Sequence, residues 1–120
     1  MESIEFNLPE DHPLHPRNML RTNLFAYTQE VVRRVGRQRG VSPELIMSRL
    51  RKADVAFARQ IAIWIVRKVQ KASLTRIGQC FGRDHGTVMH AVKVVDDQMS
   101  IDDSVRADVN ALMVELERDQ

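Results

Sequence analysis

Asp84, His85 and Thr87 stand almost together in the run Phe81-Gly82-Arg83-Asp84-His85-Gly86-Thr87, directly after a glycine turn. Each carries a short polar side chain that donates or accepts hydrogen bonds. Such groups suit base edges in the major groove, where each base pair shows a distinct donor and acceptor pattern. An aspartate can accept from the amino group of cytosine, and a threonine can hydrogen-bond or lay its methyl on thymine. A helix that begins here also offers free N–H groups to a phosphate. Arg76, Arg83 and Lys93 flank the run with positive charge. Asp84 beside His85 could also suggest a general base. No nucleophile, metal cluster or second carboxylate stands near the pair in sequence, so no enzymatic activity is expected.

Two short helices must position these groups, and the stretch from Ser73 to Lys93 encodes both. Ser73 is a suitable N-cap for the first. Leu74, Ile77, Cys80 and Phe81 then recur at helical spacing as one apolar stripe. Gly82 falls where that helix must stop, and glycine tolerates the positive φ a stop often needs. Asp84 can cap the second helix, whose buried face is expected from Val88, Met89, Val92 and Val95. His85, Gly86 and Thr87 are then left in its first turn, pointing outward. This is the layout of a helix-turn-helix that sets one helix N-terminus in a DNA major groove.

The rest of the chain reads as helical support. Residues 1–17 hold Pro9, Pro13 and Pro16 with little periodicity and are expected to form an extended arm. His12 and His15 lie on that arm without partners and make no metal site. Residues 18–120 are read as the helical domain. Leu20, Leu24, Tyr27, Val31, Val32 and Val35 predict a helix over residues 18–39, stopped at Gly40. Ser42-Pro43-Glu44 starts a short helix to about residue 49, with Leu45, Ile46 and Leu50 expected inside. After the basic linker Arg49-Leu50-Arg51-Lys52, Asp54 can cap a central helix over residues 55–71. Its apolar face is Ala58, Ile61, Ala62, Ile65, Val66 and Val69, with Arg59, Arg67, Lys68 and Lys71 on other faces and Trp64 in the core. A polar break at residues 100–103 precedes a last helix over residues 104–117, faced by Val105, Val109, Leu112, Met113 and Leu116. No segment alternates with period two long enough for a strand, so the fold class is all-α with about six helices.

The chain has 120 residues, enough for one modest core. No apolar run approaches the roughly 20 residues of a membrane span. The N-terminus is acidic and reads as no signal peptide, and the single Cys80 cannot form an internal disulfide, so a cytoplasmic location at the nucleoid is expected. Charge is more informative than its total of +2. Residues 31–93 carry 14 Lys or Arg against Glu44, Asp54 and Asp84, a balance of +11, while residues 1–30 balance at −3 and residues 94–120 at −6. Such segregation points to a polyanionic partner. The acidic ends are read as solubilising surface.

Three runs carry a family resemblance. Gly82-Arg83-Asp84-His85-Gly86-Thr87-Val88-Met89-His90-Ala91 is similar to the signature G-R-D-H-[TS]-T-V-x-H-A of the C-terminal DNA-binding domain of the bacterial replication initiator DnaA. Ala58-Arg59-Gln60-Ile61-Ala62 resembles the R-Q-x-A start of that family's central helix, and Ser73-Leu74-Thr75-Arg76-Ile77-Gly78 its S-L-x-x-I-G. The runs occur in the family's order, and the resemblance covers residues 31–117. It implies a Trp-repressor-like helical fold with a helix-turn-helix, no cofactor, and double-stranded DNA as partner. It places Asp84, His85, Gly86 and Thr87 in the major groove. An arginine of the basic loop would enter the adjacent minor groove, with Arg51 best placed and Arg49 and Lys52 beside it. Arg59, Gln60, Leu74, Thr75 and Arg83 would sit near phosphates or support the motif. A narrow minor groove carries enhanced negative potential, which favours such an arginine. Two departures stand out: Gly86 replaces the family's first threonine after the histidine, and Phe57 stands where the family tends to carry a polar or basic residue.

The initiator also needs an ATPase module, and this chain carries no G-x-x-x-x-G-K-[ST] loop. The resemblance is therefore to the DNA-binding domain standing alone. Three functions are compatible with it. The first is sequence-specific duplex binding that regulates replication initiation or transcription at initiator-like sites, with the replication machinery or the full-length initiator as further partners. The second is a helical protein-interaction adaptor of the same fold with weakened DNA reading. The third is nonspecific binding through the basic block alone.

Overall fold

The structure, a computed structural model, describes residues 23–119. Those residues form six α-helices and no strand: α1 (Leu24–Arg39), α2 (Pro43–Met47), α3 (Ala53–Gln70), α4 (Leu74–Phe81), α5 (His85–Ile101) and α6 (Asp103–Arg118). The all-α expectation holds. The extended arm over residues 1–17 and the expected helix start at residue 18 lie outside the described residues; within them, Asn23 caps α1, its side chain accepting from the Ala26 N–H at 3.0 Å. None of the described helices is long and apolar enough to cross a membrane.

Local chemistry sets most of the boundaries. Ser42 and Ser73 cap α2 and α4 through their hydroxyls, accepting from the Leu45 N–H at 3.2 Å and the Arg76 N–H at 3.1 Å. Gly40 and Gly82 end α1 and α4 in the left-handed region, with φ of 69° and 67°. Three boundaries differ from the sequence reading. Helix α2 stops at Met47, because Ser48 turns extended and its hydroxyl donates to the Leu45 carbonyl. Helix α3 begins at Ala53 with Lys52 at its N-cap, so Asp54 lies in the first turn rather than at the cap. The polar break expected at residues 100–103 shrinks to Asp102, whose carboxylate accepts from the Ser104 and Val105 N–H groups and starts α6 at once.

Helix α3 is the axis of the core. It packs against α1 and α5, while α4 lies on α5 and α6 closes over α5 and α1. Its segment from Ile61 to Val66 is buried all round, with Ile63 and Trp64 inside as well as the expected face. Each such aliphatic side chain contributes on the order of 1.5–3 kcal/mol by leaving water. Trp64 is a core residue, and its Nε1–H donates to Asp96 of α5 at 2.8 Å, satisfying its polar edge.

Four residues expected inside are exposed: Leu45, Leu50, Val69 and Met89. One-turn α2 turns only Ile46 inward; Leu50 stands in a loop, and Val69 in the last turn of α3. In α5 the buried stripe is Val88, Ala91 and Val95, at offsets of three and four, and Met89 lies about 100° away from it. Cys80, Val92 and Met113 are only partly buried against the core.

The acidic C-terminal segment has a use beyond solubility. Arg34 of α1 meets Glu30 at 2.6 Å, Asp119 at 2.6 Å and Glu115 at 3.3 Å, and Arg39 meets Asp108 at 3.6 Å. Burial works against the Arg34 charge, but bonding to Asp119 and Glu115 prevails and holds its proton more firmly than usual. Helix α6 thus neutralises the α1 end of the basic block.

Candidate nucleic-acid interface

Helices α4 and α5 meet at the turn Gly82-Arg83-Asp84, and its geometry depends on a close backbone approach. The N–H groups of Gly82 and Arg83 both donate to the Gly78 carbonyl, the second at 2.8 Å. A Cβ on Gly78 would fall 2.3 Å from the Arg83 carbonyl oxygen, so only glycine lets α4 and the turn touch. The turn brings Asp84 to the N-cap of α5, where its Oδ1 accepts from the Thr87 N–H at 2.8 Å. That bond, with a further one from the Thr87 side chain, holds the Asp84 carboxyl below the usual carboxylate range, so it is an anion at neutral pH. An ionised carboxylate has about four acceptor positions, and capping leaves some for a base.

His85 and Thr87 are exposed on the first turn of α5, as the sequence reading has them. Thr87 also has a structural duty, since its N–H and its side chain bond the Asp84 carboxylate. Gly86 lies in ordinary helical backbone beside them; an added Cβ there would meet only Asp84 Oδ1, at 3.7 Å.

Two arginines read as sitting near phosphates or supporting the motif have carbonyl partners within the fold. Arg59, expected on an outer face of α3, is 7% exposed. Its Nε donates to the Ile46 carbonyl at 2.6 Å, and its Nη2 to the carbonyls of Leu45 at 3.2 Å and Leu50 at 3.0 Å. Arg83 donates to the Phe81 carbonyl at 2.9 Å and, across 35 residues of sequence, to the Ser48 carbonyl at 2.8 Å. Together they fasten the segment from Leu45 to Leu50, one from beneath and one from the helix-turn-helix. Burial, then the charge of Arg83, makes Arg59 easier to deprotonate than usual; burial, then the charge of Arg49, does the same to Arg83. Both remain cationic, given the high intrinsic basicity of guanidinium. A signal for the burial of Arg59 is present in the sequence: Val55, Arg59, Ala62 and Val66 form one helical stripe, and all four are buried.

This clamp presents the basic loop, with Arg49, Arg51 and Lys52 exposed along it. Thr75 and Arg76 are exposed in the first turn of α4, and Leu74 and Gln60 are half-buried. Lys93 is exposed on α5 and shares its charge with Asp97 at 3.2 Å. Phe57 packs partly against the core, with the Arg39 guanidinium 5.1 Å from its ring centre, so it has a structural role at a position where the family tends to carry a polar or basic residue.

The helix-turn-helix family model of the bacterial dnaA protein matches residues 28–95, more than half of the chain. Among curated proteins, the chain is 43% identical over 83 residues to the chromosomal replication initiator protein DnaA of Deinococcus radiodurans, covering 69% of this chain and 18% of that protein. It is 46% identical over 72 residues to the DnaA of Desulfotalea psychrophila (60% and 15%), and 40% identical over 78 residues to that of Thermus thermophilus (64% and 18%). The chain thus spans less than a fifth of the length of these relatives.

Proposed function

We propose, from the premise that the chain belongs to the bacterial DnaA helix-turn-helix family, that it binds duplex DNA in a sequence-specific manner. The initiating end of α5 enters the major groove, and the loop of Arg49, Arg51 and Lys52 reaches the neighbouring minor groove. The observation that carries this reading is the carbonyl clamp of Arg59 and Arg83, which fixes a basic loop to a helix-turn-helix whose first turn bears the exposed Asp84, His85 and Thr87.

Each part has a physical role. Asp84 is anionic and accepts from an exocyclic amino group, while His85 and Thr87 offer donors and acceptors to base edges. Arg51 is long enough to follow a narrow minor groove, where negative potential concentrates. Lys52, Arg49, Thr75, Arg76 and Lys93 meet phosphates, and Arg83 adds its charge to the same face while staying bonded to Ser48. Gln60 and Leu74, half-buried behind them, support the surface. The biological task is regulation of replication initiation or transcription at initiator-like sites.

Selection from a random duplex library tests the reading. A single enriched site is expected. His85→Ala should weaken binding to that site by about 1–3 kcal/mol and leave random DNA nearly unaffected. Thr87→Ala is a less clean probe, because it also loosens the Asp84 cap. Equal affinity for the enriched and a scrambled duplex would instead favour an interaction adaptor or a nonspecific binder.

A further inference from the structure

Met89 is an apolar side chain with no core duty, placed on the helix that the proposed reading sets in the major groove. It is 56% exposed, while Val88 and Ala91 of the same helix are buried and carry the packing of α5. It stands one turn beyond His85 and Gly86, at offsets of four and three, so the three share a face. Gly86 leaves that face open, since a Cβ there would meet only Asp84 Oδ1, at 3.7 Å. Beyond Met89 the surface dips into a depression of about 440 Å³, lined by the apolar Leu74, Met89 and Val92 and by the charged Arg67, Lys93, Asp96 and Asp97. One turn beyond its polar first turn, α5 therefore presents a single exposed apolar side chain, Met89, beside the exposed His90.

We infer that Gly86 and Met89 form a seat for the C5-methyl group of a pyrimidine, so that Met89 determines specificity at one position of the DNA site. The inference rests on the DNA-binding reading above. In the major groove the C5-methyl of thymine is the one apolar group on a base edge, and 5-methylcytosine presents the same group beside its amino donor. The open α-carbon of Gly86 lets the base edge approach, and the thioether chain of Met89, flexible and polarizable, closes over the methyl. The occupant is fixed by continuity: the seat lies on the same helix face as His85, between the polar first turn and Lys93, where a base edge and then a phosphate follow.

The test uses the full chain and the duplex enriched by selection. Each thymine is replaced singly by deoxyuridine, which removes only the methyl, and each cytosine by 5-methyldeoxycytidine, which adds only a methyl. Affinities are measured for the wild type, Met89→Ala, Met89→Leu and Gly86→Thr; circular dichroism confirms folding. One position is expected at which the methyl changes wild-type affinity about three- to fivefold, the worth of one buried methyl. A deoxyuridine effect identifies thymine as the source, and a gain with 5-methyldeoxycytidine identifies methylated cytosine. Met89→Ala and Gly86→Thr should abolish the effect, and Met89→Leu should keep most of it. If the enriched duplex binds but no methyl effect depends on Met89, this inference falls and DNA reading by α5 stands. If no duplex is enriched, both fall.

Discussion

Alanine is favoured over glycine inside a helix by about 1 kcal/mol, so propensity alone has both Gly78→Ala and Gly86→Ala stabilising the protein. The structure gives them opposite signs. At Gly86 the nearest atom to the new Cβ is Asp84 Oδ1 at 3.7 Å, an ordinary contact, and the backbone is already helical. At Gly78 the new Cβ lands 2.3 Å from the Arg83 carbonyl oxygen and 3.2 Å from its carbon. That peptide cannot retreat freely, because the N–H groups of Gly82 and Arg83 are bonded to the Gly78 carbonyl itself. Overpacking of this kind costs about 1–3 kcal/mol, and each turn hydrogen bond lost adds about 0.5–1.5 kcal/mol. Set against the propensity gain, the net effect of Gly78→Ala is a loss of about 1–3 kcal/mol. For a domain of this size 1 kcal/mol moves Tm by about 4–8 °C. Thermal unfolding followed by circular dichroism should therefore show Gly78→Ala melting about 5–20 °C below the wild type, and Gly86→Ala up to about 5 °C above it. Gly78→Ala should also lose duplex affinity while still folded, because the displaced turn carries Asp84. A Gly78→Ala variant that melts at or above the wild type would refute the close-approach account of this turn.

Exposed Arg49, Lys52, Arg76 and Lys93 are the cations proposed to meet phosphates, so titrations at several salt concentrations should give a slope of log affinity on log salt of about −3.6, at about 0.9 per phosphate; a flat response would remove the electrostatic account. Arg51→Ala should cost more affinity on duplexes with an A·T-rich flank than on G·C-rich ones, and equal losses would make Arg51 a phosphate contact only. Lys71 ends α3 with a φ of 55°, where an L side chain is strained by roughly 1–2 kcal/mol, so Lys71→Gly should raise Tm; a fall would show that the lysine side chain offsets that strain. Asp84 has its proton affinity depressed by its bonds to Thr87, so its cap is fully present above the ordinary carboxylate range and is lost as pH falls through its lower folded-state value. The Tm difference between the wild type and Asp84→Ala should accordingly hold between pH 7 and pH 5, about one unit above that range, and shrink only in stronger acid.

Most helix ends were legible because caps are local chemistry. Ser42, Ser73, Gly40, Gly82 and Asp84 each do what residue type and position indicate, since a side chain or a left-handed glycine satisfies backbone groups a few residues away. The polar first turn of α5 was legible for the same reason. Burial was harder wherever a helix face had to be fixed by its neighbours: where α5 packs on α3 and α4, Ala91 is buried and Met89 is not. The functions of Arg59 and Arg83 were hidden more deeply. Their partners are loop carbonyls with no side-chain signature, and only the folded chain brings the Ser48 carbonyl to Arg83. The same holds for α6, whose acids read as a tail until Arg34 and Arg39 lie opposite them.

Because Arg59 and Arg83 fasten the basic loop by its own peptide carbonyls, the distance and angle between that loop and α5 are properties of the protein rather than of the bound complex. On the proposed reading the molecule would gauge spacing as well as read bases. An extra base pair between the two contacted segments adds about 3.4 Å of rise and about 35° of rotation. A loosely tethered arm could follow such a change. A loop held at Ile46, Ser48 and Leu50 cannot, so on the proposed reading the two halves of the site should count as one word of fixed length, and a well-matched half on either side should not compensate for a displaced partner.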